Sequence, residues 1–199
     1  MATGFGGELF QQILSVGSIL WLIGVLVMLG YAVYSYLRVR RQVSEAIWLR
    51  DNFWICDQVK SPFILGLFRP KIYLSSGMEE AQLPYVIAHE QAHLRRGDQW
   101  WKPLGFVLLM IHWYNPFVWV AYILFCRDLE LACDESAVRD LTLEERKSYS
   151  YALLSCSMQR RLVTVCPLAF GEVGVKKRVK EVLNYKKPSF WILLAAVVV

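Results

Sequence analysis

The sequence predicts an α+β membrane protein. Its parts are an N-terminal transmembrane helix, a domain with a small β-sheet, a broken helical hairpin at the membrane, and the start of a second transmembrane helix. Three observations carry this prediction. Residues 13–37 hold no charged side chain, short β-type segments crowd the stretch 53–74, and a further apolar run from 103 to 126 is interrupted by Asn115-Pro116.

The composition points the same way. Of 199 residues, 56% are hydrophobic and 20% charged, with a mean hydropathy of +0.34, which excludes a disordered chain and an ordinary soluble domain. Twenty-five uncharged residues at about 1.5 Å each exceed the roughly 30 Å hydrocarbon core, so 13–37 reads as a spanning helix. Arg38, Arg40 and Arg41 follow it at once, which places 1–12 outside the cell and 38–187 in the cytoplasm. A signal peptide is disfavoured: no basic segment precedes the run, the run is too long, and no small-x-small cleavage site follows. Residues 188–199 are apolar after Lys186 and Lys187, and read as the beginning of a second, truncated transmembrane helix. The net charge of +5 belongs to these membrane flanks, not to a nucleic-acid surface. Five cysteines (Cys56, Cys126, Cys133, Cys156, Cys166) without a C-x-x-C pair suggest reduced thiols, not a disulfide framework.

Along the chain, 53–57, 62–67 and 71–74 are β-type, broken at Lys60-Ser61-Pro62 and Arg69-Pro70; one of them can be an edge strand for an extended substrate. A helix follows, with Glu79 and Glu80 near its start, apolar Leu83, Val86 and Ile87, then Arg95, Arg96 and a stop at Gly97. Pro116 removes a backbone donor and disfavours helix at Asn115, dividing 100–126 into halves of about a dozen residues, each roughly 18 Å long. Thr142-Leu143-Glu144-Glu145 is a capping box opening a helix to about residue 160. Lys176-Lys177-Arg178-Val179-Lys180, with Val175, Val182 and Leu183, predicts an amphipathic helix against anionic lipid.

The helix ending at Gly97 carries His89-Glu90-x-x-His93, and two of the three histidines in the chain belong to it. Residues four apart share a helix face, so both imidazoles can reach one ion while Glu90 stands beside it. Zinc suits two neutral imidazoles and a carboxylate with a fourth position left for water, whose proton Glu90 can take. The third ligand comes from Glu130-x-x-x-Asp134: Glu130 to the metal, Asp134 to a ligating imidazole through a hydrogen bond. Asp98, Asp128 and Glu135 are weaker candidates, and Cys133 reads as packing. A single crossing of the bilayer by 100–126 would hold His93 and Glu130 roughly 30 Å apart, so shared coordination requires a hairpin that dips into the membrane, or packs at its inner surface, and returns. Arg95, Arg96, Tyr85 and His112 remain open for stabilising an oxyanion, with His112 more simply a histidine tucked into the bend.

These motifs occur in a particular order. Ser61-Pro62-Phe63 and Gly66-Leu67-Phe68-Arg69-Pro70 precede the histidine pair. His112-Trp113-Tyr114-Asn115-Pro116, Glu130-x-x-x-Asp134, Phe170-Gly171-Glu172 and Lys186-Lys187-Pro188 follow it. Over residues 15–191 the chain resembles the membrane metallopeptidase region of the BlaR/MecR family, the bacterial β-lactam sensor-transducers and their relatives. The resemblance implies a gluzincin-type zinc endopeptidase in a multi-pass bacterial membrane protein with its catalytic domain facing the cytoplasm. One zinc would be held by His89, His93 and Glu130, with Glu90 as general base and Asp134 orienting a ligand. It also implies a protein substrate, either the chain itself or a DNA-binding repressor, with no direct nucleic-acid contact. The chain has fewer N-terminal membrane helices than the fuller family pattern and no penicillin-binding sensor region, so β-lactam sensing is not implied. Two rivals are a housekeeping membrane protease of the heat-shock or CAAX-processing type and a non-catalytic scaffold stabilised by zinc. The intact Glu90 argues against the scaffold, because a structural site needs no base.

Overall fold

The computed structural model describes residues 3–159 and 175–185. It opens with a single helix, α1 (Thr3–Gln42), whose apolar centre contains the run 13–37 and which continues through Arg38, Arg40 and Arg41 without a break. Among the described residues this is the one helix long and apolar enough to cross a membrane, over Gly7–Gln42. Cys166, the Phe170-Gly171-Glu172 segment and the expected helix at 188–199 lie outside the described residues.

A four-stranded sheet follows: β1 (Ile47–Arg50), β2 (Phe53–Cys56), β3 (Phe63–Leu65) and β4 (Lys71–Ser75), in the order β1-β2-β4-β3. The three expected strands are present. β1 was not legible because its four residues are all exposed and carry no alternation; it exists by antiparallel pairing with β2. β2 and β4 run parallel, and their side chains alternate between two faces. Phe53, Ile72 and Leu74 pack on one face with Val86 and Ala152; Cys56 and Tyr73 pack on the other with Val43 and Val59. Gly66 closes the turn into β4 with φ +111°, where an added Cβ would stand 2.7 Å from the Arg69 carbonyl oxygen.

The helix α2 (Leu83–Arg96) lies on this sheet. Pro84 occupies its first turn and Gly97, at φ 73°, ends it by donating its N–H to the His93 and Leu94 carbonyls. The bend falls at Asn115-Pro116, between α3 (Asp98–Ile111) and α4 (Pro116–Val138); α4 is 23 residues long and continues past 126 without a break, and its first turn is capped by the Asn115 side chain accepting from the Phe117 N–H at 2.9 Å. Phe106, Leu109, Tyr122 and Cys126 form the seam of this hairpin, and Met28 and Ala32 of α1 pack against them. At the hairpin tip the Trp21 indole donates to the Ile111 carbonyl at 2.8 Å, and the Trp113 indole donates to the Trp21 carbonyl at 3.2 Å.

The capping box is formed as expected. The Thr142 N–H donates to the Glu145 carboxylate at 2.7 Å and Thr142 Oγ1 accepts from the Glu145 N–H, opening α5 (Leu143–Gln159). The last described helix, α6 (Val175–Leu183), packs on α4 and α5 through Val182, which joins Val138, Tyr149 and Leu153. The helix is amphipathic as expected, with its apolar face packed on protein and not on lipid. Val175, Arg178 and Val182 share one face, and that face is turned into the protein; Lys176, Lys177 and Lys180 stay exposed. Four described cysteines, Cys56, Cys126, Cys133 and Cys156, are free thiols.

Candidate metal centre

Two helices converge behind the sheet. The helix α2 presents His89 and His93 from one face, α4 presents Glu130, and all three are buried. The two Nε2 atoms stand 3.2 Å apart, with Glu130 Oε2 at 3.4 Å from His89 Nε2 and Glu130 Oε1 at 3.6 Å from His93 Nε2. A tetrahedral ion with ligand bonds of about 2.0–2.1 Å requires ligand atoms about 3.3 Å apart. The donor set therefore has the spacing of a zinc-sized ion.

The far side of each ring explains why the lone pairs face inward. His93 Nδ1 donates to Asp98 Oδ2 at 2.6 Å, and His89 Nδ1 lies 3.1 Å from Asp134 Oδ1 and 2.9 Å from the Tyr149 hydroxyl. Both imidazoles are thus held through Nδ1, which fixes the tautomer with Nε2 unprotonated. Two lone pairs 3.2 Å apart repel unless a positive charge lies between them, either a proton or a metal ion. Without a metal the proton takes that place. Burial disfavours a charged His89, but Asp134 and Glu130 outweigh it and push the imidazole up to about 9.

The acids respond in the opposite sense. Burial alone would raise Glu130, yet Lys102 and the two histidines hold it well below the usual carboxylate range. Asp134, equally disfavoured by burial, is held down to about 2 by Arg178 and His89. Arg178 supplies a two-pronged clamp, Nε to Asp134 Oδ2 at 2.6 Å and Nη2 to Asp134 Oδ1 at 2.8 Å, and its Nη1 lies 3.4 Å from Glu130 Oε2. Lys102 Nζ donates to Glu130 Oε1 at 2.9 Å. Tyr149 donates to Asp134 Oδ1 at 2.7 Å. The buried acids Asp98, Glu130 and Asp134 each have an opposite partner, as burial demands.

The sequence-derived residues His89, Glu90, His93, Glu130 and Asp134 are all buried here. Asp98, ranked lower from sequence, makes the shortest hydrogen bond to a ring, because Gly97 turns the chain back at once and begins α3 beside the helix it has just ended. Cys133 does more than pack: its thiol donates to Asp98 Oδ2 at 3.2 Å and touches His93 Nδ1 at 3.1 Å. Asp128 and Glu135 are exposed and outside the cluster, as is Arg95; Arg96 reaches only Asp98, at 3.8 Å. Tyr85 packs edge-on against Tyr149. His112 bonds the Leu108 carbonyl at the far end of α3, about 20 Å along the helix from Asp98. Lys102, Tyr149 and Arg178 were missed. A signal existed for Arg178, which falls at the i, i+3, i+7 spacing of Val175 and Val182 and so sits on the apolar face of its helix.

A histidine pair one turn apart, completed by a glutamate from a second helix, could hold a metal ion, and the family match gives the class, a metallopeptidase. The family described as BlaR1 peptidase M56 matches residues 8–182, and the chain belongs to that family. It is similar to the methicillin resistance mecR1 protein of Staphylococcus aureus, 22% identical over 190 residues covering 84% of this chain and 32% of the relative. It is also similar to regulatory protein BlaR1 of Bacillus licheniformis, 24% identical over 196 residues covering 85% of this chain and 33% of the relative. The chain spans about a third of the length of these relatives.

Proposed function

We propose that this chain is a membrane-embedded zinc endopeptidase that hydrolyses a peptide bond at the His89–His93–Glu130 centre. The observation that supports it most is the ligand spacing of 3.2 to 3.6 Å among three buried donors, with Glu90 buried on the same helix as the histidines. His89, His93 and Glu130 would hold the zinc ion, which would supply a Lewis acid and lower the pKa of water at the site. Glu90, buried on the same helix, is the group that would take a proton from the attacking water and return it to the leaving amine. Asp134 and Asp98 hold the two imidazoles in the ligating tautomer, and Arg178 and Tyr149 hold Asp134.

The exposed faces of the hairpin support the membrane placement. Trp101, Leu104, Leu108, Phe117, Val120 and Leu124 all face outward, and 103–126 contains no Asp, Glu, Lys or Arg. The tip meets α1 at Trp21, 17 residues and about 25 Å of helix from Arg38. With α1 spanning the bilayer and Arg38, Arg40 and Arg41 on the cytoplasmic side, the hairpin enters from that side and brings the centre to the inner surface. The substrate we assign is a protein: this chain itself or a DNA-binding repressor, in keeping with a relative named a regulatory protein.

The test is turnover in membranes or detergent micelles containing the chain and its candidate substrate, with Glu90→Gln beside the parent. The expected result is cleavage by the parent, a loss of about 10²–10⁴-fold in the variant, and unchanged zinc content in both. Equal cleavage by the two would contradict Glu90 as the base.

A further inference from the structure

We propose that Lys102 sets the metal affinity of this centre, its ammonium competing with the bound cation for the Glu130 carboxylate. The inference rests on reading His89, His93 and Glu130 as a metal centre. The helix α3 is otherwise apolar along the face it turns to α4, yet it delivers two charges into the cluster, Asp98 and Lys102, four residues apart. They have opposite effects. Asp98 holds a ligand ring from behind, through Nδ1, and leaves its lone pair free. Lys102 instead approaches the carboxylate that would itself ligate the metal, with Nζ 2.9 Å from Glu130 Oε1 and its side chain only 16% exposed.

Two cations therefore flank Glu130, Lys102 at Oε1 and Arg178 at Oε2. They are not equivalent. Arg178 is 2.6 and 2.8 Å from Asp134 but 3.4 Å from Glu130, whereas Lys102 bonds Glu130 itself at 2.9 Å. The Lys102 charge is also close enough to be stabilised by Glu90. A divalent ion bound between His89, His93 and Glu130 would lie within a few ångströms of this ammonium, in surroundings that screen like charges poorly. When the site is free of metal, Lys102 neutralises and orders Glu130. When metal is bound, the same charge opposes it and keeps the ion exchangeable. Removing the lysine costs little order, because Glu130 is 7% exposed and still faces Arg178. The loss of repulsion therefore outweighs the loss of positioning.

Zinc affinity of the detergent-solubilised chain, read by competition with a chromophoric chelator at fixed pH, tests this in the parent, Lys102→Met, Lys102→Gln and Lys102→Arg. The two neutral variants are expected to bind zinc at least about tenfold more tightly, and Lys102→Arg to stay within about threefold of the parent. Unchanged or weaker binding in the neutral variants overturns the proposal, since a lysine with only a structural role lowers affinity when removed. Tighter binding by Lys102→Arg overturns it as well, because the charge is then not the cause. Lys102→Gln keeps an amide donor for Glu130 and reports even where the methionine variant does not fold. A parent that binds no zinc contradicts the metal centre itself; a parent that binds zinc with no gain in the neutral variants contradicts only the role of Lys102.

Discussion

The two ends of the α3–α4 hairpin are built from the same pair of helices and face opposite chemistries. At one end Asp98, Glu130, Cys133 and Asp134 are buried, paired and ordered around two imidazoles. At the other, Ile111, Tyr114, Phe117 and Trp119 are exposed and apolar. In a water-soluble protein the pattern would be inverted, with charges outside and aromatics within. One end is solvated by protein, and the other has the exposed apolar surface that the proposed membrane placement requires. The charged end can be dense because its acids are paired with Lys102, Arg178 and the two imidazoles; the apolar end can be bare if, as proposed, it meets hydrocarbon.

Breaking the lipid end has the largest expected effect on stability. Leu108→Asp places a carboxylate on the outward face of α3, at a cost of about 2.5–3.5 kcal/mol if that face meets the bilayer interior. Insertion assays or melting in lipid nanodiscs read this directly; a neutral outcome would return the hairpin to water. A smaller loss comes from the tip. An added Cβ at Gly24 would lie 2.0 Å from the Trp113 indole, whereas at Gly17 it would meet nothing within 4 Å. Gly24→Ala is expected to destabilise by about 1–3 kcal/mol and Gly17→Ala to be tolerated, with thermal melts in detergent as the measurement. Equal effects at the two glycines would mean that the tip is not docked on α1.

The polar end is sharpened by pH. In metal-free protein the His89 imidazole is raised to about 9, from an ordinary value near 6.5. A raised histidine stabilises the fold below its unfolded value and loses that contribution as pH rises through the folded one. Chelator-treated protein is therefore expected to melt progressively lower from about pH 6.5 to 9.5, while zinc-loaded protein, in which the proton has been displaced, does not follow that trend. Parallel curves for the two forms would contradict the proton as the stand-in for the metal.

Much of this was legible because helical spacing is a strong constraint. His89, Glu90 and His93 share one helix, Glu130 and Asp134 another, and Asn115-Pro116 marked the bend that lets the two meet. What could not be read depended on tertiary contact. Asp98 acts on His93 across the Gly97 turn, Tyr149 comes from a helix 60 residues beyond His89, and Arg178 comes from 89 residues beyond it. What the amphipathic pattern of 175–183 did not show is what its inner face meets. Its lysines do face outward, but Arg178 lies on the packed side, where two buried carboxylates outbid a surface. β1 escaped notice because only its partner strand makes it a strand.

The most direct test of the composite centre is the zinc content of detergent-purified protein for the parent and for Glu130→Gln. About one zinc per chain in the parent, sharply reduced in the variant, is the predicted result. A folded parent with little zinc, or a variant that keeps it in full, would contradict a site shared between α2 and α4.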